Sequence, residues 1–123
     1  MAKVIFQGST LVSGTGTQNV DIDTGSLNGQ NFADSNSAMW VRAIAINKES
    51  SASYRGPAKK EAWYEHDSTT LTLIDEGSQS GLLAANLSIT FSASGDNIRI
   101  GVASDGGVRS LLCNVYYEIW AFD

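Results

Sequence analysis

Residues 87–102 read Leu87-Ser88-Ile89-Thr90-Phe91-Ser92-Ala93-Ser94-Gly95-Asp96-Asn97-Ile98-Arg99-Ile100-Gly101-Val102, and this stretch decides the fold. Its first half alternates apolar and hydroxyl side chains with period two. That period puts Leu87, Ile89 and Phe91 on one face of an extended strand and the hydroxyls on the other. Ser94-Gly95-Asp96-Asn97 follows, a turn by composition, because Gly, Asp and Asn tolerate the left-handed backbone of tight hairpins. Ile98, Ile100 and Val102 then alternate again, with Arg99 and Gly101 on the opposite face. The stretch is a β-hairpin.

The same pattern recurs along the chain. Leu71 and Leu73 alternate with Thr70 and Thr72 before the turn-rich segment 75–81, and Ser104-Asp105-Gly106-Gly107 closes another loop before a strand from Leu111 to Phe122. Met39–Asn47 and Ala58–His66 read as long strands; Val4–Gln7, Thr10–Ser13 and Asn19–Ile22 read as short ones. Proline occurs once, at Pro57, while Gly, Ser, Thr, Asn and Asp punctuate runs rich in Val, Ile, Thr, Tyr and Trp, as in strand-and-turn proteins. Only 81–86 offers a turn or two of helix. The expectation is an all-β antiparallel sandwich, jelly-roll-like, with about eight or nine strands. Residues 1–123 form one such domain, and residues 1–20 are a candidate partner-contacting N-terminal arm.

Two strands are apolar on both faces. In the last one Val115, Tyr117, Ile119 and Ala121 form one row, and Tyr116, Trp120 and Phe122 form the other, interrupted by Glu118. Around Met39, the row Trp40, Ile44, Ile46 opposes Met39, Val41, Ala43, Ala45. One face of a sandwich strand normally meets water, so the second row is either covered by a loop or is an interface, where aromatic residues concentrate. The candidate interface residues are Trp40, Trp63, Tyr64, Tyr116, Trp120 and Phe122.

Charge narrows the partners. The net charge is −5, and residues 61–123 carry two Arg against nine acids. A phosphate backbone needs a basic stripe, so nucleic acid is not expected. No apolar run approaches the roughly 20 residues that cross a bilayer, and Met1-Ala2-Lys3 leads into Val4 without the apolar segment of a signal peptide; no membrane partner is expected. Cys113 is the single cysteine. It sits among apolar neighbours as a small buried hydrophobe, compatible with a reducing cytoplasm.

Catalytic and metal-binding patterns are weak. His66, the single histidine, is followed by Asp67 and Ser68, but neighbouring strand residues point to opposite faces and cannot converge as a triad; a surface histidine at a strand end is expected. One His and one Cys do not make a zinc site. Asp21-Ile22-Asp23-Thr24-Gly25 hints at calcium, but the closing carboxylate of an EF-hand loop would fall at Phe32. Glu61 and Glu65 flank Trp63 on one face, with Tyr64 and His66 on the other, and paired carboxylates beside an aromatic suggest a glycosidase only faintly. No catalytic residue, cofactor or metal is expected, and the chain is read as a non-enzyme.

Three stretches together resemble a known group: Val4-Ile5-Phe6-Gln7-Gly8-Ser9-Thr10, Ala93-Ser94-Gly95-Asp96-Asn97-Ile98-Arg99-Ile100-Gly101-Val102, and Asn114-Val115-Tyr116-Tyr117-Glu118-Ile119-Trp120. This layout is similar to a widespread group of tailed-bacteriophage virion structural proteins, over about a third of the chain, and the resemblance brings no catalytic residues. It implies a capsid decoration (cement) protein, a homotrimer in the virion, assembled in the host cytoplasm and clamping major capsid protein subunits together. The alternative it implies is a tail-fibre or receptor-binding module whose Trp40, Trp63 and Tyr64 stack on host glycans.

Overall fold

A computed structural model describes residues 3–34, 36–48, 57–81, 87–104 and 110–123. Among them are nine strands: β1 (Lys3–Thr15), β2 (Gln18–Asp23), β3 (Asn36–Asn47), β4 (Ala58–Asp67), β5 (Leu71–Glu76), β6 (Ser80–Gly81), β7 (Leu87–Ser94), β8 (Asn97–Ser104) and β9 (Ser110–Phe122). The chain is an antiparallel sandwich. Its large sheet runs β1-β9-β3-β4-β5, with β6 also on β4, and its small sheet runs β2-β8-β7. Strand 1 beside strand 9 in one layer, and 2 beside 8 in the other, is the wrap of a jelly roll; β3, β4 and β5 form a meander within one layer. The described residues contain no helix long and apolar enough to cross a membrane.

The hairpin read from sequence is β7–β8, with Leu87 opposite Ser104 and Ser94 opposite Asn97. Gly95 takes φ +59 while Asp96 stays out of the positive region, as a two-residue hairpin with Gly in first place requires. Leu87, Ile89, Phe91, Ile98, Ile100 and Val102 all enter the core. The large sheet meets them with small side chains at its centre, Ala43, Ala45, Ala58 and Ala62, leaving room for those bulkier residues. Cys113 is buried, and burial pushes its thiol up to about 11, as expected of a small hydrophobe.

Several expectations need correcting. The two short strands expected at 4–7 and 10–13 are one strand of 13 residues, because β1 pairs with β9 without a break from Lys3↔Phe122 to Thr15↔Ser110. Thirteen consecutive rungs outweigh the turn propensity of Gly8-Ser9. The region read as a candidate partner-contacting arm holds β1, the edge strand of the large sheet, over residues 3–15, and the start of β2 over residues 18–20. His66 lies inside, 2% exposed, since its β4 row faces the small sheet. Of the helical turn expected at 81–86, Gly81 ends β6, and residues 82–86, like the loop at 105–107, fall outside the described residues.

Candidate functional site: the outer face of the large sheet

Pairing register assembles a row of indoles that no single strand contains. Ile5 lies opposite Trp120, Trp120 opposite Trp40, and Trp40 opposite Trp63, which faces Asp75 of β5. All three tryptophans of the chain thus lie side by side on three adjacent strands, β9, β3 and β4, of the outer face. Trp40 and Trp120 meet edge to face with centroids 6.2 Å apart, and Trp40 and Trp63 lie tilted at 6.4 Å; each such pair is worth about 0.5–1.5 kcal/mol. Trp63 is 46% exposed, and Trp40 and Trp120 are half-buried. Among the described residues no strand packs over this face.

Polar groups border the row on both sides. One rung along, Gln7, Glu118, Arg42 and Glu61 lie in register. Glu118 accepts from Trp120 Nε1 at 2.7 Å and from Gln7 Nε2 at 2.6 Å, and these two bonds hold its carboxyl below the usual range. Arg42 reaches Glu61 at 3.4 Å and lies 5.3 Å from the Trp40 ring, while the Lys3 ammonium lies 5.3 Å from the Trp120 ring. Such cation–π contacts fix the indole planes and keep charge beside them. The next rung holds Tyr116, 42% exposed, with Ile44.

Two hollows adjoin the row. One, of about 300 Å³, is lined by Gln7, Gly8, Arg42, Ile44, Tyr116, Tyr117 and Glu118. The other, of about 490 Å³, lies towards the β4–β5 turn, where Glu65, Asp67, Thr70, Thr72, Ile74 and Phe122 line it. Flat aromatic faces beside carboxylates and a guanidinium can stack on a ring while bonding its hydroxyls.

The structure brings together five of the six candidate interface residues: Trp40, Trp63, Tyr116, Trp120 and Phe122 share this face. Tyr64 does not. It points inward, fully buried, and its hydroxyl donates to Ser92 O at 2.7 Å; burial, with Glu76 nearby, pushes the phenol well above its usual range. Arg42, Glu118 and Gln7 were missed, because their nearness to the indoles depends on register across strands far apart in sequence. Asp21 is held bidentately by Arg99 at 2.8 and 2.9 Å, and Asp23 caps Gly25 N at 2.8 Å; both serve structure.

No protein family matches this chain, and no curated protein does. Among solved structures it is similar to part of the tailspike protein of Acinetobacter baumannii phage AM24, with TM-score 0.51 at 9% identity, over 95% of this chain and 26% of that one. The tailspike protein of Acinetobacter phage vB_ApiP_P1 follows with TM-score 0.49 and 16% identity, over 94% and 22%. The tailspike protein gp49 of Acinetobacter baumannii bacteriophage Fri1, a capsular polysaccharide depolymerase, gives TM-score 0.45 and 10% identity, over 94% and 17%. The chain thus spans about a quarter, or less, of the length of these tailspikes. The AM24 likeness establishes that this sandwich is a fold used within a phage tailspike.

Proposed function

We propose that this chain is a phage tail β-domain whose uncovered sheet face binds glycans of the host surface. The observation that carries the reading is the row Trp120–Trp40–Trp63, over which no strand packs among the described residues and which is edged by Glu118, Arg42 and Glu61. The shared fold with a tailspike segment supports a tail rather than a capsid location, and on that ground the tail-fibre reading is preferred to capsid decoration. The role is binding rather than turnover. Glu61 and Glu65 are four residues apart on an extended strand, roughly 13 Å at the usual rise, wider than the roughly 5–9.5 Å between the carboxyls of a glycosidase pair. They would accept bonds from sugar hydroxyls independently.

The test is binding of the 123-residue chain to a panel of bacterial surface polysaccharides, with Trp63→Ala as the control variant. Saturable binding that weakens at least about tenfold in the variant, some 1.4 kcal/mol, is expected. No polysaccharide binding, together with tight binding to phage capsids, would return the chain to the decoration role.

A further inference from the structure

A two-layer sandwich leaves sheet edges, and proteins blunt exposed edges to avoid unwanted strand pairing. Here three edges are short or closed. Along β7, the Gln79 side chain bonds both Leu87 O and Ile89 N, Lys60 Nζ reaches Ile89 O at 3.2 Å, and the Tyr64 hydroxyl takes Ser92 O. β5 has six residues, shifts register opposite Trp63/Tyr64, and carries Asp75 and Glu76. β2 is equally short and carries Asp21 and Asp23.

β1 differs on every count. It runs 13 residues in unbroken register, without proline, and the sequence has no charged residue from Val4 to Val20. Asn28 Nδ2 bonds Ile5 O at 2.9 Å and Gln18 Nε2 bonds Thr15 O at 3.2 Å, so these two carbonyls point away from β9. Strand alternation then turns the N–H and C=O groups of Gln7, Ser9, Leu11 and Ser13 outward as well. Among the described residues nothing meets them. Ile5 and Leu11, 42% and 57% exposed, stand on the outer face of this edge.

The order of side chains identifies the occupant. Read from Gly8 in both directions, Val4-Ile5-Phe6-Gln7 is mirrored by Ser9-Thr10-Leu11-Val12: apolar, apolar, then polar towards the centre, with Phe6 against Thr10 as the one mismatch. We infer that the β1 edge is a self-association seam, on which a second copy of this chain lays its own β1 antiparallel about a two-fold axis at Gly8. In that register Ile5 faces Leu11 of the other copy and Val4 faces Val12 on the opposite face, so each exposed apolar residue gains a cross-strand apolar neighbour. The outward groups of Gln7 and Ser9 bond each other, and no charge is buried. Asn28 must release Ile5 O to complete the ladder. An isologous pair of this kind closes on itself and joins two large sheets into one, with both tryptophan rows on the same continuous face. The seam does not depend on what the tryptophans bind.

Light scattering and sedimentation of the chain over a wide concentration range test this. A concentration-dependent dimer of about 26 kDa, twice the 13.1 kDa chain, is expected. Ser9→Pro removes one outward N–H where an edge strand tolerates proline, and Leu11→Lys places a charge opposite Ile5. Each should raise the dissociation constant at least about tenfold with an unchanged far-UV circular dichroism spectrum, while Trp63→Ala leaves it unaltered. Should Ser9→Pro fail to fold, Leu11→Lys decides, since its side chain is already exposed. A monomer at all concentrations, a trimer near 39 kDa, or a dimer indifferent to Leu11→Lys would overturn the inference.

Discussion

Nε2 of His66 lies 2.8 Å from Oδ1 of Asp96, tying the end of β4 in the large sheet to the tip of the β7–β8 hairpin in the small one. Ser68 N donates to Nδ1 at 3.1 Å, so Nε2 carries the hydrogen and donates it to the carboxylate. The Asp96 carbonyl separately accepts from Thr24 N and Thr24 Oγ1. Asp96→Ala therefore severs the imidazole link and spares the Thr24 bonds. A loss of about 1–3 kcal/mol is expected, because a buried donor is left unmet, and urea unfolding measures it. An unchanged midpoint would mean that His66 finds another partner.

Tyr64 and Trp63 are adjacent in sequence and opposite in consequence. Tyr64→Phe keeps the ring but strands the Ser92 carbonyl, and should lower stability by about 1–2 kcal/mol without touching glycan binding. Trp63→Ala removes one aromatic pair from an exposed face, costs about 1 kcal/mol, and should weaken the binding proposed above at least about tenfold. Thermal melts and polysaccharide titrations of both variants separate the two effects; binding lost in Tyr64→Phe alone would contradict the assignment.

Asp67 supplies the acid sensitivity. Its Oδ1 accepts from Thr69 Oγ1, Thr70 N and Thr69 N at 2.8, 2.7 and 3.0 Å, and these bonds hold its carboxyl down at about 2. A depressed carboxyl stabilises fully above its unfolded value, about 4, and that stability is lost as pH falls through the folded value. Wild type should therefore lose stability relative to Asp67→Asn between about pH 4 and 2, and the difference between them should be constant above that window. Denaturation midpoints at each pH show whether the gap closes there.

Asn28 guards one end of the β1 edge. It stands at φ 51 beside Gly29 at φ 81, in the two-residue turn closed by Leu27 and Gln30. Asn28→Gly keeps that turn unstrained and removes the amide from Ile5 O. Self-association should become tighter, by a few-fold at most for one exposed hydrogen bond. Weaker association would mean that Asn28 supports the seam.

How much of this was legible depended on whether a signal lay within one strand or between strands. The β7–β8 hairpin could be read directly, because period two with one buried face, broken by Gly95-Asp96, has few other solutions. β3 and β9 announced two apolar rows each, yet periodicity treats the rows as equals, and only the position of the small sheet shows that Met39 and Val115 face inward. β4 misled more. Its inner row, Ala58, Lys60, Ala62, Tyr64 and His66, mixes polar and apolar residues, so Tyr64 read as an interface residue and His66 as a surface one. The indole row was invisible in any one segment, since it exists only through the rungs Trp120↔Trp40 and Trp40↔Trp63. At Gly8 the local turn preference suggested a break. There, a Cβ would come within 2.6 Å of the Tyr117 hydroxyl, so the glycine makes room for a ring instead of bending the chain.

The rung Lys3↔Phe122 has a mechanical meaning. Tension applied through these two residues acts at one end of the β1–β9 ladder and opens its bonds one after another, as in peeling, instead of loading all thirteen rungs in shear. The domain would part at low force if strung in series along a fibre between those points. Held at that single corner instead, by Lys3 and Phe122 together, the rest of the sandwich bears no load.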